Sequence, residues 1–227
     1  MILNQSKEGY RYNTDSILLY HFVKQKTLKG AVLDIGCGCG VIGLLLARDY
    51  GVALTGVDIQ REMIDFCCQN SERNGIKAEF VCSDFRSFVC EKKFDTIVSN
   101  PPFYRSHTTQ SKNDAIRTAR DAATLPIDDL LKCAGKFLSS EGDFFFCYDA
   151  DCLFDVARYL RESRYHPKSV QFVHTHSGKK ARLVLIRAKK SLTKAVNILP
   201  PLFLYDKNGV SADIREISMK ADTLCVA

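Results

Sequence analysis

A strand followed at once by a glycine-rich turn is the feature that most constrains the fold of this chain. The apolar run 31–35 predicts a buried strand, and Gly36, Gly38 and Gly40 follow it directly. Alternate glycines permit a tight turn and let a ligand approach bare backbone. The apolar segment 41–48 then predicts a helix, so this stretch forms a strand–turn–helix unit.

The same alternation continues along the chain and predicts an α/β fold, a Rossmann-like seven-stranded mixed sheet with helices on both faces. The last two strands are joined by the short segment 175–180, which contains Ser-Gly, so the final strand is predicted to be antiparallel. In such a sheet, ligands bind at the carboxyl ends of the strands. Further strands are predicted at 53–58, 78–82, 94–99, 143–148, 169–174 and 182–188, and further helices at 61–74, 127–137 and 152–163.

The length of 227 residues fits a single domain. We predict an N-terminal arm at 1–29 that covers the ligand site, a core domain at 30–190 and a C-terminal extension of that domain at 191–227. The apolar runs are too short for a transmembrane helix, and the first residues lack the apolar core of a signal peptide. These features favour a cytoplasmic protein with no membrane partner. The segment 200–205 is interpreted either as a strand packed on the core or as a contact for partners.

The ten cysteines and five histidines show no metal-binding spacing, so no metal site is predicted. Several cysteines fall in predicted strands or helices, where cysteine behaves as a small buried hydrophobe. The net charge of +6 suits a partner that carries phosphates, and it suits simple solubility equally well. The polar segment 105–120 carries four basic residues against one acid and predicts a loop beside the site.

Acidic residues follow the second and third predicted strands closely. Asp58 ends the second strand, and a carboxylate there can accept hydrogen bonds from both hydroxyls of a ribose. If the ligand is an adenine nucleoside, Ile59 would lie against its adenine ring. Asp84 could accept from the adenine amino group, and Phe85 could supply a backbone N–H and apolar cover. Each of the two acids can equally be a helix cap or a turn residue.

The tetrapeptide Asn100-Pro101-Pro102-Phe103 closes the fourth predicted strand and is the strongest indication of chemistry. An exocyclic amine is a poor nucleophile because its lone pair is delocalised into the ring. The Asn100 side-chain oxygen and the Pro101 carbonyl can accept the hydrogens of such an amine and stabilise the positive charge that develops when its nitrogen attacks an electrophile. The prolines stiffen the loop, and Phe103 can stack on a flipped-out base. The alternative is an ordinary strand-ending turn, in which Asn-Pro is common.

Taken in order, these motifs resemble those of class I methyltransferases, whose first motif, written loosely as D-x-G-x-G-x-G, matches Asp34 to Gly40. The core 30–190 resembles the small-domain members with an Asn-Pro-Pro-Tyr/Phe motif. That group includes glutamine methylases of release factors, guanine-N2 methylases of ribosomal RNA and adenine-N6 methylases of tRNA and DNA. The segments 9–19, 119–131 and 181–190 resemble the bacterial tRNA1(Val) adenine-37 N6-methyltransferase family.

The resemblance implies S-adenosyl-L-methionine as the cofactor and the N6 amine of an adenine in tRNA as the acceptor, with adenine 37 of tRNA-Val as the best candidate. Substrate contacts would come from Tyr10 and Arg11, while Arg105 and Arg120 would hold phosphates. Thr14 would lie near the methionine end of the cofactor, although a helix N-cap is an equally good interpretation there. The other implied cofactor contacts are Asp34, Gly36, Cys37, Gly38, Gly40, Asp58, Ile59, Asp84, Phe85 and Asn100.

Two other substrates stay open: the amide of a protein glutamine and the N2 amine of a guanine in ribosomal RNA. Glutamine methylases carry a helical domain before the core, whereas only 29 residues precede the core here. Ribosomal guanine methylases often have a duplicated or larger N-terminal half. A non-enzymatic RNA-binding subunit is disfavoured because Asp58 and the motif from Asn100 to Phe103 are intact. A monomer is favoured.

Overall fold

The computed structural model of the chain describes residues 1–5, 12–103, 125–190 and 195–226. A short first strand, β1 (Ile2–Asn4), lies outside the main sheet. The main sheet is built on β2 (Ala31–Ile35), β3 (Ala53–Asp58), β4 (Ala78–Cys82), β5 (Phe94–Ser99), β6 (Leu138–Asp149), β7 (His166–His174) and β8 (Ala181–Lys189). These strands lie in the order β4-β3-β2-β5-β6-β8-β7. The pairs from β4 to β6 are parallel, and β8 runs antiparallel to both of its neighbours.

The α/β fold with a mixed central sheet is therefore confirmed, including the antiparallel final strand. Two additional strands of two residues each, β9 (Asn197–Ile198) and β10 (Leu202–Phe203), pair with β7 and extend the sheet to nine strands. The segment 200–205 thus contributes a strand to the sheet. It continues into a small antiparallel pair formed by β11 (Tyr205–Asp206) and β12 (Gly209–Val210).

Six helices are present in the described ranges: α1 (Thr14–Val23), α2 (Val41–Tyr50), α3 (Arg61–Arg73), α4 (Ile127–Phe137), α5 (Leu153–Glu162) and α6 (Ala212–Ala221). Local signals set their ends. The Asn13 side chain accepts a hydrogen bond from the Asp15 N–H at 3.0 Å and so caps α1. Gly75, with φ of 63°, follows the end of α3. Helices α1 and α2 pack together, as do α4 and α5, and α2 also packs on β2 and β3.

Strand β6 is the apolar centre of the molecule. Its residues Phe144, Phe145, Phe146 and Cys147 are all buried, as expected for a strand covered on both faces. The Phe145 ring meets Phe22 of α1 edge-on, with ring centroids 6.0 Å apart. Burying each such ring contributes about 1.5–3 kcal/mol. This packing makes β6 a firm support for the end of its neighbour β5.

The two ends of the chain meet. The last strand, β13 (Leu224–Val226), pairs in parallel with β1, and the backbone N–H of Asn4 donates to the side chain of Asn70 at 2.6 Å. Helix α6 packs on α1, and the Arg48 guanidinium donates to the Ala221 carbonyl at 2.9 Å. The segments before and after the core are therefore joined to each other. The division of the chain at residues 29 and 190 stays a prediction.

Candidate active site

A cavity opens at the carboxyl ends of β2, β3, β4 and β5, the edge at which the sequence predicts the ligand. After β2 the chain continues to β3 on one side, while β5 joins β2 on the other, so the cavity lies at a topological switch point. Most of the predicted cofactor residues line it, namely Gly36, Cys37, Gly38, Asp58, Ile59, Asp84, Phe85 and Asn100.

The glycine turn forms the floor of this cavity. Gly36 and Gly38 have φ of 66° and 54°, a backbone region that side chains with a Cβ rarely adopt. A Cβ added to either glycine would meet no protein atom within 4 Å, so it would project into the space that a ligand needs. The N–H of Gly36 donates to the Val57 carbonyl at 2.8 Å and ties the turn to β3. The turn therefore fits a nucleoside-bearing cofactor pressed against bare backbone.

Asp58 is held in place by the backbone on both sides. One carboxylate oxygen accepts from the Gly38 N–H and the other from the Gln60 N–H, each at 2.9 Å. Burial raises the pKa of Asp58, and these backbone donors act in the opposite direction. Each oxygen accepts one hydrogen bond from the residues that the structure describes and has a second lone pair, so the side chain can still accept from two hydroxyls at the cavity wall. Asp58 thus holds the glycine turn through Gly38 and also lies at the cavity wall, where it is suited to bind a ribose.

The residues after β4 combine the two roles considered for them. Asp84 lines the cavity and also caps the short turn Phe85–Ser87 by accepting from the Arg86 N–H at 2.9 Å. Hydrogen bonds from the Arg86 side chain hold the pKa of Asp84 below its usual value. Phe85 lines the cavity too, and its ring packs on Phe88 and Phe137 with centroids 6.0 and 5.7 Å away.

The Asn100 amide is oriented by two elements that are distant in sequence. Its nitrogen donates to the Ser16 hydroxyl of α1 at 3.1 Å. Its oxygen accepts from the Cys147 thiol of β6 at 2.9 Å. Asn100 and Pro102 line the cavity, so the start of the Asn-Pro-Pro-Phe segment lies at the predicted place.

Several predicted residues lie elsewhere. Phe103 borders a neighbouring cavity, where its ring lies 5.7 Å from that of Tyr148. Thr14 borders a third cavity, next to the start of α1, and it lies beside the capping residue Asn13. Gly40 immediately precedes α2 as its N-cap residue and does not border the cofactor cavity. Pro101 is buried and likewise does not border it.

Asp34 supports the turn from below and does not border the cavity. It is buried, and one carboxylate oxygen accepts from the Gly43 N–H of α2 at 2.9 Å. The other oxygen has no hydrogen-bond partner among the described residues. Burial raises the pKa of Asp34 to about 7. Its role in this structure is to fix the turn against α2, which positions Gly36 and Gly38.

In α1 and its approach the sequence predicts Thr14 near the cofactor, yet Tyr12 and Ser16 line the cavity together with Gln60 and Met63, and none of these four was predicted. The Tyr12 hydroxyl bonds Thr223 at 3.1 Å and Cys225 at 2.7 Å, so the C-terminal segment holds this wall. Burial raises the pKa of Tyr12. No local pattern predicts the contacts of Tyr12 with Thr223 and Cys225, because they depend on the pairing of the two chain ends.

The predicted substrate residues Tyr10, Arg11, Arg105 and Arg120 lie outside the described residues. Within the ranges that the structure does describe, no helix is both long and apolar enough to cross a membrane. The same ranges contain no group of three or more His, Cys, Asp or Glu side chains placed to hold a metal ion.

The strand order, with one antiparallel strand at the far side and a glycine turn at the switch point, defines the fold of a class I methyltransferase. Solved structures agree. A predicted O-methyltransferase from Agrobacterium tumefaciens superposes with a TM-score of 0.71 at 15% identity, covering 93% of this chain and 99% of that one. The 16S ribosomal RNA N2 G1207 methyltransferase of T. thermophilus, solved with AdoMet and guanosine, gives 0.60 at 23% identity, covering 82% of this chain and 45% of that one.

The chain belongs to the methyltransferase small domain family, which matches residues 12–152. A curated relative from Dyadobacter fermentans, named tRNA1(Val) (adenine(37)-N6)-methyltransferase, is 27% identical over 81% of this chain and 78% of its own length. One of the same name from Bacteroides fragilis is 31% identical over 61% and 60%. A ribosomal RNA small subunit methyltransferase C from Actinobacillus pleuropneumoniae is 37% identical, over 56% of this chain and 35% of its own length.

Proposed function

We propose that this protein transfers a methyl group from S-adenosyl-L-methionine to the N6 amine of an adenine in tRNA, with adenine 37 of a valine tRNA as the preferred target. The observation that carries the proposal is the Asn100 amide, which lies at the wall of a cavity built on a glycine turn and Asp58. The names of the relatives from Dyadobacter and Bacteroides support the choice of tRNA and of adenine.

The cavity provides the groups that this cofactor requires. Asp58 would accept from the two ribose hydroxyls, and the backbone of Gly36 and Gly38 would approach the cofactor closely. Ile59, which is 44% exposed, and Phe85 would enclose the adenine ring, with Asp84 accepting from its amino group. When bound, the cofactor supplies a methyl group on a positively charged sulfur, which is ready for in-line displacement.

At the acceptor, the protein's task is alignment and charge stabilisation. The Asn100 oxygen and the Pro101 carbonyl would accept the two hydrogens of the amine. These acceptors favour a tetrahedral nitrogen, whose lone pair can then attack the methyl carbon. Transfer would form one new N–C bond and release the demethylated cofactor, and the nitrogen would afterwards lose one proton to solvent. Phe103 would offer its ring to the target base. Because Phe103 borders the neighbouring cavity, the base would have to reach the ring from that cavity.

For the tRNA itself, we propose contacts from Tyr10 and Arg11 and phosphate contacts from Arg105 and Arg120. The net charge of +6 supports a polyanionic partner. We further propose that the protein acts in the cytoplasm as a monomer.

The test is to incubate the purified protein with tritiated S-adenosyl-L-methionine and, separately, unmodified bulk tRNA, ribosomal RNA and a release factor. Digestion of the labelled product identifies the modified unit. Label recovered from tRNA as N6-methyladenosine supports the proposal. Label in ribosomal RNA as N2-methylguanosine would replace it with the activity suggested by the Actinobacillus relative, and label in glutamine would make the protein a release-factor methylase.

A further inference from the structure

The side chain of Asn100 is gripped at both ends of its amide. The amide nitrogen donates a hydrogen bond to the Ser16 hydroxyl at 3.1 Å, and the amide oxygen accepts one from the Cys147 thiol at 2.9 Å. An amide has two donor hydrogens and two acceptor lone pairs. Among the described residues the protein uses one of each, so one lone pair on the oxygen is left for the substrate amine.

The donor from β6 is a thiol in an apolar strand. Cys147 is fully buried, and burial raises the pKa of its thiol well above the usual value, with the Asp15 carboxylate acting in the same direction. The group therefore keeps its proton throughout the neutral range and remains available as a donor. Because S–H is a weak donor, it orients the Asn100 oxygen while withdrawing little of its electron density.

The acceptor from α1 is also fixed in place. Ser16 lies in the first turn of the helix and is buried. The preceding residue, Asp15, forms an ion pair with Arg182 of β8, and Asn13 caps the helix. The first turn of α1 is thereby tied to the sheet on the side of β6 and β8, which sets the position of the Ser16 hydroxyl relative to Asn100.

We propose that Ser16 and Cys147 are positioning residues that fix the rotation of the Asn100 amide, so that its oxygen faces the amine to be methylated. The inference deepens the proposed function and rests on it for the role of Asn100. If the amide rotated by half a turn, its NH2 group would face the substrate amine, and donor would meet donor. Loss of either partner lowers the fraction of time that the oxygen is presented.

The decisive comparison is between two replacements of Cys147 that differ in the donor. Cys147→Val fills the position without a donor, and Cys147→Ser restores one. Cys133→Val, at a buried cysteine of α4 that does not border the cofactor cavity, is the matched control. We expect kcat to fall about tenfold or more in Cys147→Val, to stay within threefold of wild type in Cys147→Ser and to be unchanged in Cys133→Val. The Kd for S-adenosyl-L-methionine should stay within twofold in all three.

The inference is overturned if Cys147→Val keeps its kcat, or if Cys147→Ser loses as much as Cys147→Val, because packing and not the donor would then be responsible. Should Cys147→Val fail to fold, Ser16→Ala replaces it, with the same expected loss in kcat at constant cofactor affinity. A retained kcat in Ser16→Ala overturns the role of Ser16.

A second readout does not depend on turnover. The side-chain NH2 signals of Asn100 in a ¹⁵N spectrum should move in Ser16→Ala and Cys147→Val, and stay in place in Cys133→Val. Signals that stay in place in all variants contradict the positioning role. The identity of the labelled product in wild type tests the proposed function separately, since the ratio of variant to wild-type rates can be measured on whichever amine or amide is methylated.

Discussion

Replacing Asp58 with alanine is the sharpest test of the cofactor site. The carboxylate would accept two ribose hydroxyls, and hydrogen bonds to a charged group contribute about 1.5–3 kcal/mol each. Counting the pair conservatively as about 3 kcal/mol predicts a rise in the Kd for S-adenosyl-L-methionine of roughly a hundredfold. The replacement also leaves the N–H groups of Gly38 and Gln60 without their acceptor. That loss loosens the turn and acts in the same direction.

The assay is isothermal titration with the cofactor and with its demethylated product, beside single-turnover methylation at saturating cofactor. Asp65→Ala, at an exposed acid of the neighbouring helix α3, is the control and should bind as wild type does. Asn100→Ala is the complementary variant. It should lose turnover almost completely while the cofactor Kd stays within a few-fold, because Asn100 acts on the acceptor amine.

The reasoning is refuted if Asp58→Ala binds the cofactor as wild type does. It is also refuted if Asp58→Ala and Asn100→Ala lose affinity and turnover to the same extent. Equal losses would show that the two residues act through the general integrity of the fold, and the division between cofactor site and acceptor site would have no basis.

Three other predictions concern charge and reactivity. The pKa of Asp34 is about 7 in the folded protein against an ordinary 3.8, so the folded state binds more protons between these values and stability falls as the pH rises from about 4 to 7. In urea unfolding at pH 5 and 7, Asp34→Asn should flatten this dependence; an unchanged slope excludes Asp34 as its source. The hydrogen bond with Cys67 and burial raise the pKa of the Cys37 thiol, so mass spectrometry should show a maleimide modifying the exposed Cys68 first; the reverse order contradicts the burial of Cys37. Charge reversal of Arg105 and Arg120 should weaken tRNA binding and reduce its salt dependence; an unaltered salt slope removes both from the RNA path.

Much of the sheet could be predicted because its signals are local. The strands β2, β3, β4 and β5 have the predicted bounds, since each is a short, mainly apolar run with a glycine, an acid or the Asn-Pro pair at its end or within two residues after it. Strand β6 is longer than predicted and begins at Leu138. The residues after Leu138, from Ser139 to Gly142, are polar or lack a side chain. Leu138 pairs with Phe94, and the pairing register of β5 and β6 shifts between Phe94 and Thr96.

The cavity wall formed by the two chain ends could not be predicted in the same way. Tyr12 is held by Thr223 and Cys225, more than 200 positions away, as the separations of 211 and 213 show. No turn or periodicity reports such a contact. It follows from the pairing of β1 with β13, and the two short strands offer only weak signals in isolation.

The sequence by itself thus determined the fold class, the bounds of β2 to β5 and the residues at their carboxyl ends. These depend on apolar periodicity and turn chemistry, which act over a few residues. The tertiary structure alone decided how Asn100 is held, because Ser16 and Cys147 lie 84 and 47 positions from it. It also placed Phe103 against Tyr148 and outside the cofactor cavity. Such contacts are set by the packing of whole helices and strands, and that packing minimises the free energy of the entire core.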